Sequence, residues 1–195
     1  IALMLHGSWH DADNMFGTTQ YDVTQKNGYA QLMFETDITE KHNISVGASL
    51  NHDYYDERFN PLGTLPKAES KVTKETTPSL YAQYTYKLGE TLTVMPGVRW
   101  DHSSIYGSFL TPRLHIKYSP LKIVTLRTSI GKGYRSPHAL AENVSLLASG
   151  REIIIDSDLK QEEAWNMGAS LGFNIPLFGK NLELNAEYYY TDFKH

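Results

Sequence analysis

The sequence predicts an all-β fold: about nine antiparallel strands forming a segment of a transmembrane β-barrel wall, an open curved sheet when taken alone. Three observations point there. Polar and apolar side chains alternate along most of the chain, which on a pleated strand sends them to opposite faces. The connections between the alternating runs differ in character: those near residues 40, 89, 120 and 178 are short, those near 13, 65, 105 and 145 mostly longer and polar. No run approaches the roughly 18 consecutive apolar residues of a spanning helix. The mean hydropathy of −0.41 does not count against a membrane, because a barrel strand averages its apolar and polar neighbours to near zero.

The strands follow in order. Ile1–His10 forms the first. Tyr29–Thr36 puts Ala30, Leu32 and Phe34 on one face and Gln31 and Glu35 on the other, and the polar residues 39–43 turn it into Ile44–Asn51. An irregular stretch rich in charge, Pro and Gly is expected from about Asp53 to Pro78. Leu80–Lys87 and Thr91–Trp100 are joined by the tight Leu88-Gly89-Glu90. After a loop at Ser103–Ser108, Thr111–Tyr118 turns through Ser119-Pro120 into Val124–Gly133. A second long stretch, Tyr134 to about Asp158, contains a helical turn near Ala139–Ala148. Trp165–Phe173 and Leu182–Tyr190 close the series, linked by residues 175–180.

Short turns at one end and longer loops at the other are the habit of outer-membrane barrels. A soluble β-sandwich binding module alternates too, but has no reason to sort its loops. Pro96 and Pro112 interrupt strands, where a missing N–H weakens the ladder; in a wall they mark a bulge or a strand end. Tyr84, Tyr86, Trp100 and Tyr118 share the parity of their strands' apolar residues near strand ends, as an aromatic girdle would, although aromatics favour strands in any case.

Composition narrows the function classes. With 13 Tyr against 7 Phe and 3 Trp, the chain favours a ring with a polar tip, suited to membrane interfaces and to ligand-binding loops. The formal charge of −4 offers no footprint for nucleic acid. Without cysteine there is no disulfide scaffold, thiolate metal site or Cys nucleophile. The chain opens on Ile1-Ala2-Leu3-Met4-Leu5, with no basic stretch or cleavage site, so the expectation is a segment of a longer protein.

The run Thr111-Pro112-Arg113-Leu114-His115-Ile116-Lys117-Tyr118-Ser119-Pro120 resembles a strand and turn that TonB-dependent outer-membrane receptors carry late in their barrels. Gly131-Lys132-Gly133-Tyr134-Arg135-Ser136-Pro137 is similar to their glycine–aromatic–Arg–small–Pro signature, followed by Leu140 and Glu142. Asp158-Leu159-Lys160-Gln161-Glu162, with Trp165-Asn166-Met167-Gly168 after it, resembles the opening of their next strand, and Ala186–Asp192 the aromatic strand beyond. The four pieces occur in order over Thr111–Asp192; residues 1–110 fit by strand pattern.

The resemblance implies about nine middle-to-late strands of a 22-stranded barrel with a globular plug. Residues 1–195 would be a partial barrel domain, with the plug and the C-terminal strands absent from this chain. It implies uptake of a scarce nutrient, such as an iron chelate or cobalamin, across the outer membrane of a Gram-negative bacterium with energy supplied by TonB. The partners would be the bilayer, the TonB complex, the plug and a small ligand. A passive porin is the alternative from another functional class.

Tyr54, Tyr55, Tyr106 and Tyr134, with Arg135, are the expected ligand contacts, all placed in outer loops. Arg135 and Pro137 stand where an outer loop begins, to touch ligand or plug or simply to shape the strand exit. Arg99, Arg113 and Arg127 share the polar face of their strands. Facing inward, they hold plug carboxylates or an anionic ligand, or form a solvated wall; facing lipid, each would cost about 2–4 kcal/mol near the midplane. His10, His52 and His102 sit beside aspartates without the spacing of a zinc site, so no metal or cofactor is expected. Asp101-His102-Ser103 has the residue types of a catalytic triad. Neighbours on a strand point to opposite faces, so no enzyme is expected.

Overall fold

A computed structural model describes residues 1–17, 19–61, 69–138, 142–143 and 159–194. Nine strands form one antiparallel sheet in sequence order, each paired with its neighbours in the chain. They are β1 (Ala2–Phe16), β2 (Thr19–Thr39), β3 (His42–Pro61), β4 (Glu69–Leu88), β5 (Leu92–Ser103), β6 (Gly107–Leu121), β7 (Val124–Arg135), β8 (Glu162–Leu177) and β9 (Lys180–Phe193). The helical turn expected near Ala139–Ala148, Leu140 included, lies outside the described residues apart from Glu142 and Asn143.

The two faces of the sheet invert the pattern of a water-soluble protein. Leu3 is 66% exposed and Leu80 is 56% exposed, whereas Ser79 and Asp101 on the other face are 3% and 1% exposed. A sandwich would cover its apolar face with a second sheet; among the described residues all nine strands lie in one sheet. Polar side chains on the opposite face reach past an intervening strand, as Arg99 of β5 reaches Ser49 of β3. The inner side of a curved sheet brings such residues together. The apolar face is therefore the outside of a wall and the polar face its inside. Tyr84, Trp100 and Tyr118 lie on the outside.

The register explains several expectations that fell short. β1 and β2 pair continuously from Ala2↔Met33 to Phe16↔Thr19, well beyond the expected ends at His10 and Tyr29. β3 and β4 pair from His42↔Tyr86 to Phe59↔Glu69, through most of the stretch expected to be irregular. The physical cause is shared. A bilayer is crossed by about 9–11 residues of tilted strand, while β2 has 21. Once a hairpin rises out of the membrane both faces are wet, and the alternation that betrays a strand disappears while its backbone ladder continues. The outer connections between β1 and β2 and between β5 and β6 are accordingly short, at residues 17–18 and 104–106.

The prolines punctuate the ladders. Around Pro96 the β4–β5 pairing lapses between Gln83↔Gly97 and Tyr86↔Val94, with equal residues on each side and hence no bulge. The β6–β7 ladder stops at Arg113↔Gly131, where Pro112 brings no N–H to extend it. Beyond that point β7 pairs only with β8, as far as Arg135↔Glu162.

Glycines on the inner face are roofed by aromatic rings. A side chain at Gly47 would meet the ring of Tyr81, its cross-strand partner, at 2.6 Å, and one at Gly168 would meet Tyr189 at 2.9 Å. The Tyr81 hydroxyl, lying over Gly47, accepts a hydrogen bond from Gln31 at 2.8 Å.

Above the membrane, the emergent ends of β2 and β3 share a buried anchor. Tyr21 is 2% exposed and donates its phenol to Glu57 at 2.7 Å. Burial, then the Glu57 carboxylate, pushes the Tyr21 hydroxyl well above the ordinary phenol range. The folded state thus favours the protonated phenol. Its contribution is complete below about pH 10, the unfolded value, and declines as the pH rises further. Tyr21→Phe is expected to leave unchanged the phenolate absorbance that the folded protein gains near pH 10. A loss of one tyrosine's signal there would contradict the buried pair.

Candidate functional site

Three cavities follow one another along the inner face from the outer mouth downward. The outermost, about 640 Å³, is walled by Tyr29 of β2, Asn51, Asp53 and Tyr55 of β3, Glu75 and Ser79 of β4, and Arg99 and Asp101 of β5. Alternate residues of adjacent strands face the same way, so register alone assembles this wall. Tyr134, Arg135, Ser136 and His138, at and beyond the end of β7, complete it.

The segment after β7 folds inward over the sheet. The His138 ring stacks on Tyr55 with centroids 4.3 Å apart. Ser136 donates to Glu75 at 3.3 Å and accepts from Gln161 at 3.1 Å. Tyr134 leaves the alternation of β7, because β6 no longer pairs with it there, and stacks on Phe109 at 4.7 Å. Arg135 is held by one acid within the connection and one at its far end: its guanidinium bonds Glu162 at 2.8 and 3.1 Å and Glu142 at 3.2 Å. These bonds staple the exit of β7 to the entry of β8.

Asp101 is the buried centre of the wall. It accepts from Arg99 Nε at 2.7 Å and from the Ser79 hydroxyl, while Arg99 Nη2 donates to Ser49 at 3.0 Å. Asn27 ties the upper rows together, donating to Asn51 at 2.8 Å and Asp53 at 2.7 Å. Both bonds to Asp101 fall on Oδ1, while its buried Oδ2 has no hydrogen-bond partner among the described residues, and the rings of Tyr29, Tyr55 and Tyr134 line the same cavity.

Of the residues singled out in the sequence, Tyr55, Tyr134, Arg135 and Arg99 meet in this cavity. Tyr54 does not: it lies on β3 beside Tyr55 and faces the opposite way. Neither is a loop residue, and Tyr134 is a strand residue as well; the expected outer loops there are emergent strand. Tyr106 sits in the β5–β6 turn, its N–H bonded to Ser103 Oγ at 3.1 Å. Arg113 lies lower, donating to Gln83 at 2.8 Å beside a second cavity of about 470 Å³. Arg127 lines the third, about 320 Å³, with His115, Lys117, Glu187 and Tyr189. Lys117 and Arg127 are direct cross-strand partners, and neither has a carboxylate within ion-pair distance among the described residues.

The triad residues separate by strand parity. Asp101 faces inward, whereas His102 faces outward, stacked on Trp100 and bonded to Ser108 at 2.9 Å. Among the described residues no three His, Asp or Glu side chains converge as a metal site. His138 and Glu75 were missed in the sequence, and Asp53 was considered only as a neighbour of His52; extending the Ile44–Asn51 parity outward would have placed Asp53 and Tyr55 on the wall.

Comparison with known proteins agrees with this architecture. The TonB-dependent receptor-like β-barrel family model matches residues 5–195. A ferric enterobactin receptor of Pseudomonas aeruginosa is 32% identical over 73 residues, 37% of this chain and 10% of the receptor. An iron-regulated outer membrane virulence protein of Vibrio cholerae is 22% identical over all of this chain and 30% of its own length. This chain therefore spans less than a third of the curated relatives it matches. Among solved structures, the siderophore receptor PirA of P. aeruginosa superposes with a TM-score of 0.65 at 16% identity, over 98% of this chain and 38% of that one. The FrpB iron transporter of Neisseria meningitidis superposes at 0.61 and 18%, over 90% and 30%. With its wet inner face, bare apolar outside and continuous meander, the chain belongs to the TonB-dependent receptor β-barrel family of the bacterial outer membrane.

Proposed function

We propose that this chain forms part of the wall of a receptor that binds an iron chelate at the outer mouth of its barrel and imports it with energy supplied through TonB. The rest of the protein supplies a plug and the strands that close the barrel. The observation that carries this reading is the 640 Å³ cavity on the inner face, where Tyr29, Tyr55, Tyr134 and His138 surround the Arg99–Asp101 pair. Such rings grip a flat, polar ligand by stacking and leave their polar tips for hydrogen bonds. The names of the curated relatives point to iron chelates, and family membership points to a receptor rather than an enzyme. Lower down, Arg127 and Lys117 face the lumen as paired like charges, an arrangement that a plug carboxylate would relieve.

The test uses the full-length protein in outer-membrane preparations and in cells, with radiolabelled ferric enterobactin and a hydroxamate chelate as probes. Tyr55→Ala is expected to weaken binding of the accepted chelate about tenfold or more, the loss of roughly 1.4 kcal/mol of ring contact. Dissipating the inner-membrane gradient is expected to abolish uptake and leave binding intact. A steady open-channel conductance of the purified protein in planar bilayers, with no saturable binding, would replace this reading by a passive porin.

A further inference from the structure

On the outer surface of β1–β4, one cross-strand row alternates ring and cation: Trp9↔Lys26↔Tyr54↔Lys74. The Lys26 amine lies 5.1 Å from the centre of the Trp9 ring and 5.7 Å from that of Tyr54; the Lys74 amine lies 5.7 Å from Tyr54 on its other side. Rings on both sides of Lys26, and the Tyr54 ring beside Lys74, hold these flexible amines in place by attraction to their π faces.

The height of the row is informative. On β3 the outward residues run Ile44, Val46, Ala48, Leu50, then His52 and Tyr54. Ten steps from Ile44 to Tyr54 are about 33 Å of strand, or about 25 Å along the membrane normal at a 40° tilt, the height of a barrel's apolar band. The two lysines therefore stand at the outer edge of the hydrocarbon, pointing toward lipid headgroups. The lysines themselves lack carboxylate partners: among the described residues none lies within ion-pair distance. The acids of the neighbouring row are engaged elsewhere. Asp56 is bonded by Arg58 at 3.2 Å and by Ser70 at 3.2 Å, and the Asp11 carboxyl is held below the usual range by Thr24 and Trp9 first, with the Lys26 charge a smaller cause.

We propose that this row is a docking site for the phosphate groups of outer-leaflet lipids, with Lys26 and Lys74 as the cations and Trp9 and Tyr54 as the supports that preorganise them. Two strand spacings set the lysines about 10 Å apart, so a lipid bearing two phosphates engages both. The occupant is a phosphorylated lipid because the cations sit at the one depth where its headgroup meets the wall.

The experiment takes the folded full-length protein in detergent, with diphosphoryl lipid A and its dephosphorylated form as probes, and counts bound lipid by native mass spectrometry. Diphosphoryl lipid A is expected to bind the wild-type protein and to bind Lys26→Gln/Lys74→Gln roughly 30-fold more weakly, about fivefold for each cation at an anionic lipid surface. Lys26→Arg/Lys74→Arg is expected to retain it. Equal binding of both probes to the wild-type protein overturns the proposal and needs no variant to fold. So does equal binding to wild type and the glutamine variant. A lipid-free wild-type dimer that dissociates in the glutamine variant would assign the row to a second copy of the chain instead.

Discussion

Replacing Leu32 by arginine is expected to destabilise the full-length barrel by about 2–4 kcal/mol, the cost of a cation facing hydrocarbon near the midplane. Leu32 is 54% exposed on the outer face, and its cross-strand partners Leu3 and Ala48 share that face. The informative control is the next residue. Met33 is as apolar as leucine, yet it faces the lumen beside Glu35 and Gln31. Met33→Arg is expected to change stability by less than about 1 kcal/mol, since it gains a carboxylate neighbour in a wet interior. Guanidinium unfolding from lipid vesicles measures both. Equal costs for the two variants would mean that the faces have been confused; a larger cost for Met33→Arg would mean that they are inverted.

The second large effect is expected at Arg99. Asp101 is 1% exposed, and Arg99 is its cationic partner at 2.7 Å. Arg99→Leu strands a buried carboxylate with the Ser79 hydroxyl, which is expected to cost about 3 kcal/mol, the range found when one member of a buried pair is removed. The double variant Arg99→Leu/Asp101→Leu removes the stranded charge as well and is expected to recover most of that loss. The same unfolding measurement decides the matter. A double variant no more stable than Arg99→Leu would show that Asp101 serves some other group than its arginine.

What the sequence made legible was governed by where the lipid lies. Ile44–Asn51 alternates because one side of it touches hydrocarbon, and there the expected strand was correct. Residues 53–61 belong to the same strand but lie at and beyond the edge of the hydrocarbon, where the apolar alternation stops, so Tyr54 and Tyr55 looked like a loop. The parity that separates them, Tyr54 outward and Tyr55 inward, was already set by Ile44. The candidate site was legible only in part for a different reason. The shared face of Arg99 and Arg113 can be counted along the chain, whereas the partners of Arg135 cannot. Glu162 is 27 residues away and reaches Arg135 only through the β7–β8 register. The lysine row on the outer surface was hidden by the same limit, because its four members come from four strands.

The halt of the β6–β7 ladder at Pro112 has a mechanical consequence for the mouth of the barrel. Along the β1–β2, β2–β3 and β3–β4 seams the rim can widen only by breaking backbone bonds in sequence, each closing the way to the next. Between β6 and β7 no such bonds remain above Arg113, and the stacked rings of Phe109 and Tyr134 bridge the two staves in their place. Parting the two staves there breaks no backbone ladder, only that ring contact and the contacts by which His138 rests on Tyr55 and Ser136 on Glu75.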